Sequence, residues 1–341
     1  MAAPSDSNTS NSFSHQFQQE SSYPKELRES IISLPKEEGW LAPHMYNYKG
    51  FWFDPQFLYG ALRCQQHFQA QHSDIILCTL PKCGTTWLKA LVFALTTRKQ
   101  FPVSQESEQT HPLLTTNPQD LIRNMEFCYA RQNSPPDFPT MNNGLMRLMS
   151  THLPLELLPK SVGESKCKLI YLCRNQKDTV VSFWHFINKV RVELHGREAI
   201  PFPEAFDRYC RGASSFGPFW DHMLGYWKES LENPSQVLFL KYEEIKEEPE
   251  VHLRRMAAFL ECPFSEEEEE SGVVGEISRL CSFESLSNLE VNKTGKSSHR
   301  PNNVYFRKGK VGDWRNHLTD EMATRLDQIV EEKFKGTGLK L

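Results

Sequence analysis

Short apolar runs that end in a small-residue turn and pass straight into a helix constrain this chain more than any other feature. Asp74-Ile-Ile-Leu-Cys-Thr-Leu80 is brief, apolar and partly β-branched, which predicts a buried strand. It runs through Pro81-Lys-Cys-Gly-Thr-Thr86 into the good helix formers of residues 87–95. The order recurs, with a strand over 168–173, a turn over 174–178 and a helix starting at Thr179; residues 236–242 predict a third strand. Apolar strands alternating with helices predict an α/β fold, with a central parallel sheet flanked by helices. Ligands of such sheets bind beyond the carboxyl ends of the strands, where the turns at 81–86 and 174–178 fall.

Length alone leaves one or two domains open for 341 residues. The strand and helix pattern favours one domain over residues 25–341, behind an arm of residues 1–24 that is rich in Ser, Asn and Gln and is read as disordered. With 39% apolar and 24% charged residues, the chain is no disordered polymer, collagen or disulfide miniprotein. Its 39 Lys and Arg against 43 Asp and Glu give a net charge of −4, which excludes a general nucleic-acid or polybasic membrane binder. Any anion site is therefore local. No apolar run reaches membrane-spanning length, and neither a Lys nor an Arg nor an apolar core precedes Lys25. Nine cysteines without a Cys-x-x-Cys pair point to reduced thiols, no metal site and a cytoplasmic setting. The acidic run 266–270 after Ser265 reads as a capped first helical turn.

Lys82, Gly84, Thr85 and Thr86 supply what a phosphate needs at a helix N-terminus: a cation, a backbone that permits close approach, and hydroxyl donors. An incidental glycine turn is the other reading. The lysine precedes the glycine, so this is P-loop-like rather than a Walker A loop, which weakens a kinase reading. Arg174, with Asp178 and Ser182 after it, offers a second anion-binding set or a surface ion pair. The basic segment Arg307-Lys-Gly-Lys-Val-Gly-Asp-Trp314 is either a loop that folds over a phosphate or a solvated turn. His152, in Ser150-Thr-His-Leu-Pro154, is the candidate base, against a structural histidine. The aromatic cluster of Trp40, Tyr46, Tyr48, Phe51, Trp52 and Phe53 either lines a pocket or packs a core.

As a set, these residues resemble the cytosolic sulfotransferases, the plant soluble branch most closely, over roughly residues 30–341. Pro81-Lys-Cys-Gly-Thr-Thr-Trp87 is similar to the family's 5′-phosphosulfate loop, Tyr171 to Ser182 to its 3′-phosphate segment, and Arg307 to Trp314 to its C-terminal loop. The resemblance implies 3′-phosphoadenosine 5′-phosphosulfate (PAPS) as donor, no metal, and the hydroxyl of a small acceptor as target. Flavonoid or other phenolic, steroid, hydroxyjasmonate and desulfoglucosinolate acceptors are all open. It also implies roles: Lys82 neutralises the leaving oxygen, and Cys83, Gly84, Thr85 and Thr86 form the 5′-phosphate loop. Trp87 and Tyr242 meet the adenine, whereas Arg174, Ser182, Arg307, Lys308 and Gly309 bind the 3′-phosphate. His152 takes the acceptor's proton.

The chain departs from the family pattern in four places. Gln176 stands where proline is usual, with an expected loosening of the 3′-phosphate turn; Cys83 holds the loop's variable position. Ser150 replaces a lysine of many animal members, and the dimer motif near Thr319 is broken, which favours a monomer with a dimer still open. The Phe51-Trp52 region and residues 184–186 are the expected acceptor walls. A non-catalytic adenosine-bisphosphate binder is the alternative function, and a P-loop kinase a remoter one.

Overall fold

The computed structural model describes residues 23–103, 110–131, 134–141, 144, 146–297 and 300–341. A small antiparallel meander of β1 (Lys36–Glu38), β2 (His44–Tyr48) and β3 (Phe51–Phe53) precedes the central sheet. That sheet contains β4 (Asp74–Thr79), β5 (Thr140–Met141), β6 (Met146–Thr151), β7 (Lys168–Cys173) and β8 (Val237–Lys241) in the order β5-β6-β4-β7-β8. A short hairpin of β9 (Lys296–Ser297) and β10 (Arg300–Pro301) follows.

Strands β6, β4, β7 and β8 are parallel, whereas the two-residue β5 pairs antiparallel with β6. The expected parallel sheet is thus mixed at one edge. All six residues of β4 are buried, as a strand covered on both faces requires. Its side chains alternate between the two layers. Ile76 and Cys78 join the cluster that includes Tyr171 and Tyr226, while Ile75 and Leu77 face Leu88, Leu91 and the rest of the Thr85–Thr97 helix. Strand β6 escaped the sequence pattern because Met146-Arg-Leu-Met-Ser-Thr151 is only half apolar; pairing with β4, from Asp74↔Arg147 to Cys78↔Thr151, fixes it instead.

This register sets the site. Cys78 lies opposite Thr151 and Tyr171, and Tyr171 opposite Phe239, so four strands end together. The residues that leave those ends are the turn at 80–84, His152, Arg174 and Tyr242. The helix expected from Thr179 begins earlier, at Gln176, where the Asn175 side chain accepts the Lys177 N–H at 3.0 Å. Ser265 caps the acidic helix as expected, in a reciprocal pair with Glu268.

The aromatic cluster is mainly core. Trp40 and Phe53 have no exposed surface, and Trp40 donates to the Ala213 carbonyl at 2.7 Å. Trp52 exchanges backbone bonds with Gly217 and Phe216 at 2.8 and 2.7 Å, so β3 positions Phe216 rather than lining the pocket itself. The expected N-terminal arm needs a shorter boundary. Residues 1–22 lie outside the described residues, but Tyr23 is buried with its ring stacked on Tyr59 at 3.9 Å, and Pro24 leads into the Lys25–Ile32 helix.

Gly60, on the Pro55–His67 helix, is a point of close approach: a Cβ there would lie 2.0 Å from the Glu126 carbonyl oxygen. Gly60→Ala must push apart the Pro55–His67 and Met125–Arg131 helices. The expected loss is about 1–3 kcal/mol in urea-induced unfolding; a change below about 0.5 kcal/mol would contradict the packing.

Candidate active site

The turn after β4 combines a left-handed Lys82, φ 70°, with Gly84 at φ 104° and then the Thr85–Thr97 helix. Gly84 is required twice over, because a Cβ there would also sit 2.8 Å from the Tyr242 ring. The helix's first bond runs from Leu88 N–H to the Gly84 carbonyl, so the N–H groups before Leu88 have no intrahelical acceptor. Its N-terminus therefore offers donors and a positive dipole end to an anion. Thr86 is oriented by a chain the sequence did not reveal. Buried Lys89 donates to Gln119 Oε1 at 2.5 Å, which leaves the Gln119 amide to donate to Thr86 Oγ1 at 2.7 Å. With its oxygen already accepting, Thr86 has its own proton free for a ligand.

Lys82 is half-buried, with Nζ 4.4 Å from the centre of the Phe186 ring. Burial, with Arg174 and Arg307 nearby, pulls its ammonium down to about 7. Arg174 has Asp178 at 3.8 Å and Arg307 has Asp313 at 2.5 Å, whereas among the described residues no carboxylate pairs with Lys82 within 4.0 Å.

Arg174 leaves β7 and bonds the carbonyls of Lys82 and Lys310 at 3.4 and 3.0 Å, with its guanidinium over the Tyr242 ring at 4.6 Å. Buried Asp178 accepts the backbone N–H groups of Gly312 and Trp314 at 2.7 and 3.0 Å, which clamps the basic loop beside Arg174. Its role was legible only as part of the motif. In that loop Asp313 pairs with Arg307 at 2.5 Å and Lys308 at 2.8 Å. Although burial opposes it, these cations hold the Asp313 carboxyl well below the usual range. Nε of Arg174 and Nε of Arg307 are buried without a hydrogen-bond partner. Two orphaned guanidinium donors fit a phosphate.

His152 leaves β6 and is held on three sides. Its Nδ1 lies 2.7 Å from the Thr79 carbonyl oxygen, which can only accept, so Nδ1 carries the proton and Nε2 keeps its lone pair. Buried Glu126 accepts the His152 backbone N–H at 2.8 Å and the Thr151 hydroxyl at 2.9 Å. On the other side buried His222 donates from Nε2 to the His152 carbonyl at 2.9 Å, while its Nδ1 faces the Tyr171 hydroxyl at 3.0 Å. Thr79 also joins base to turn, because its hydroxyl bonds Thr85 Oγ1 at 2.7 Å. Burial drives the His152 imidazolium down to about 3, so the ring is neutral at physiological pH. No sequence pattern singled out Thr79, Glu126 or His222, since each acts through a contact distant along the chain.

One cavity of about 580 Å³ unites these groups. Lys82, Gly84, Thr85, Thr86, Trp87, Arg174, Ser182, Tyr242, Arg307, Lys308 and Gly309 all line it, together with His152 and the unforeseen Phe283. Trp87 and Tyr242 meet edge to face at 5.2 Å. Around His152 the wall is Phe57, Phe127, Phe183 and Phe216; the Phe127 and Phe216 ring centres lie 5.8 and 5.4 Å from the imidazole.

Several expectations need correction. Cys83 does not face the cavity: its buried sulfur lies 3.7 Å from Thr179 Oγ1, its N–H bonds the Leu80 carbonyl at 3.3 Å, and burial pushes its thiol up to about 12. It is neither a ligand through its side chain nor a reactive thiol. Gln176 tightens its turn instead of loosening it, donating to the Arg174 carbonyl at 2.6 Å and accepting from the Tyr209 hydroxyl at 2.5 Å. Phe51 and Trp52 stay out of the cavity, as does Trp184, whose indole bonds the Ile200 carbonyl at 2.8 Å; of residues 184–186 only Phe186 lines it. Ser150 is buried in β6 and bonds the Arg123 carbonyl.

Known proteins show the family to which the chain belongs. The sulfotransferase domain model matches residues 72–338. Cytosolic sulfotransferase 12 of Arabidopsis thaliana is 51% identical over 320 residues, which is 93% of this chain and 94% of that protein. The chain belongs to the sulfotransferase family. Flavonol 4′-sulfotransferase of Flaveria chlorifolia is 46% identical over 301 residues, covering 87% of this chain and 90% of that one. Among solved structures, an Arabidopsis thaliana sulphotransferase aligns over 100% of both chains with a TM-score of 0.73 at 42% identity. A mouse sulfotransferase crystallised with PAP, at 24% identity, shares the fold with a TM-score of 0.63 over 86% of this chain and 95% of that one. Among the described residues no helix is long and apolar enough to cross a membrane. As a PAPS-dependent sulfotransferase, the protein moves a sulfonate group to an acceptor.

An anion set among Lys82, Arg174 and Arg307 must raise the Lys82 ammonium from about 7. Binding of adenosine 3′,5′-bisphosphate should therefore take up roughly half a proton to one proton at pH 8, where its phosphates are already fully ionised; the uptake should vanish and turn to release toward pH 6, where Lys82 is already charged and the phosphates, with second pKa about 6, give up protons on binding. Calorimetry in buffers of different ionisation enthalpy measures this. Proton release or no uptake at pH 8 would contradict the arrangement.

Proposed function

We propose that the enzyme sulfonates the hydroxyl of a small, largely apolar acceptor, with His152 as base and Lys82 as the charge that receives the leaving oxygen. The observation that carries this reading is the neutral His152 imidazole, its Nδ1–H committed to Thr79 and its free Nε2 in the cavity that Lys82 also lines.

The donor supplies an activated sulfonate on a phosphate leaving group. Gly84, Thr85, Thr86 and the helix N-terminus hold its 5′-phosphate end. Arg174, Ser182, Arg307, Lys308 and Gly309 take the 3′-phosphate, and Trp87, Tyr242 and Phe283 receive the adenine between apolar faces. His152 Nε2 accepts the acceptor's proton as the acceptor oxygen forms its bond to sulfur and the bond from sulfur to the phosphate oxygen breaks. Lys82, charged once the anion is present, stabilises the electron pair left on that oxygen. Positioning and charge stabilisation supply the rate, and the phenylalanines keep water from the base. The class of acceptor follows from the aromatic wall: a flat phenolic ring, a flavonol or a steroid fits better than a polar sugar. The proposed assembly is a monomer.

Incubation of PAPS with phenols, flavonols, hydroxysteroids, hydroxyjasmonates and desulfoglucosinolates should give a sulfated product and adenosine bisphosphate. His152→Ala should lower turnover by about 10²–10⁴-fold, the usual contribution of a positioned base, with the bisphosphate affinity within about threefold of wild type. Retained turnover would remove His152 from the mechanism. Failure of every acceptor in a protein that binds the bisphosphate would favour the non-catalytic reading.

A further inference from the structure

We propose that Lys89 is a positioning residue for the donor: buried behind the phosphate turn, it aligns the Gln119 amide so that the Thr86 hydroxyl gives its hydrogen bond to the 5′-phosphate. This inference rests on the placement of that phosphate in the reading above and adds to it a residue that touches neither substrate.

Lys89 lies one turn beyond Thr85 and Thr86 on the Thr85–Thr97 helix and is only 1% exposed. Taking an ammonium out of water is costly, and an ion pair is the usual compensation. Among the described residues no carboxylate lies within 4.0 Å of Lys89. Its hydrogen bond, at 2.5 Å, goes to the neutral Oε1 of Gln119. Burial accordingly pulls the ammonium down to about 7, although Glu126, Cys128 and Asp120 favour the charge. Stability alone would be better served by an apolar side chain of similar length.

The charge sets the direction of the chain that starts from it. An ammonium carries donors only, whereas an amide presents an acceptor at one end and donors at the other. Oε1 therefore faces Lys89 Nζ, and Nε2 faces Thr86 Oγ1 at 2.7 Å. With the amide turned over, two donors would meet at Lys89, and Thr86 would give its proton to Oε1. Lys89 thus decides, at two removes, whether Thr86 donates or accepts at the cavity wall, which Thr86 and Gln119 both form.

Other threonines of the same helix are used differently. Thr96 and Thr97 donate to the Val92 and Phe93 carbonyls at 2.7 Å each, the ordinary local bond of a helical threonine, and Thr85 is bonded to Thr79. Thr86 instead receives a bond from outside its helix. Gln119 does not depend on the lysine for its place: its N–H donates to Asn117 Oδ1 at 2.8 Å, and the Asn117 amide donates to Asn292 Oδ1 at 2.7 Å. The neighbouring Asp120 accepts the Ser297 hydroxyl at 2.6 Å. Replacing Lys89 therefore frees the amide to turn without moving the segment that bears it.

The test is the affinity for adenosine 3′,5′-bisphosphate, measured by calorimetry at pH 6, where the ammonium is charged, in wild type, Lys89→Met, Thr86→Val and the double variant. A hydrogen bond to a charged group predicts a loss of about tenfold or more for Thr86→Val and about fivefold for Lys89→Met. In the Thr86→Val background the Lys89→Met change should cost less than about twofold, because the two residues act through one chain. With the best acceptor of the panel above, KM for PAPS should rise in Lys89→Met while the acceptor KM stays within about twofold of wild type, and the melting temperature should not fall. Gln119→Leu cuts the same chain, should reproduce the Lys89→Met loss, and decides the matter if Lys89→Met fails to fold. Equal losses in both backgrounds would mean a charge acting at a distance or a packing defect, and would overturn this inference. An affinity unchanged in both Lys89→Met and Gln119→Leu would overturn it too; in either case a loss in Thr86→Val leaves the placement of the phosphate standing. An unchanged affinity in Thr86→Val overturns that placement and this inference together.

Discussion

The hydrogen bond from His152 Nδ1 to the Thr79 carbonyl is the contact on which the chemistry depends. It fixes the tautomer, and it does so across two neighbouring strands, so the sheet itself holds the base. Thr79 ends the central strand, from which the phosphate turn also leaves, and its hydroxyl bonds Thr85. Base and anion cradle therefore share one rigid anchor. A relative shift of β4 and β6 by one residue would part them and turn each strand's core face outward.

That anchor sits in a deliberately buried polar network. Glu126 and His222 grip the His152 backbone from opposite sides, and both lie wholly inside the core. Burying a carboxyl is costly, and burial raises the Glu126 carboxyl above its usual value. The carboxyl is compensated by the His152 N–H and the Thr151 hydroxyl, and in return the peptide that bears the base cannot rotate. The Lys89–Gln119–Thr86 chain works in the same manner on the anion side, where Thr86 Oγ1 accepts from Gln119 and so keeps its own proton to donate.

The sequence showed those parts of the site that are contiguous. Strand β4, the turn with Lys82 and Gly84, and the following helix are one unbroken segment whose chemistry and periodicity agree, and Arg174 and the Arg307 loop are likewise local. Strand β6 was invisible because it is only half apolar and owes its conformation to β4. The groups that clamp His152 come from distant segments, so no spacing could announce them. Gln176 and Cys83 show the opposite limit. Both sit inside legible motifs, yet their effects follow from Tyr209 and Thr179, partners supplied by the fold.

The proposed chemistry depends on the state of one ring. Nitrogen-15 NMR of histidine-labelled protein bound to adenosine bisphosphate, with His152→Gln used to assign the resonance, observes it directly. The arrangement predicts a pyrrole-like, protonated Nδ1 and a pyridine-like, unprotonated Nε2 that stay unchanged from pH 9 down to pH 5, because burial drives the imidazolium down to about 3. An Nε2–H tautomer, or a ring that titrates near neutrality, would contradict it.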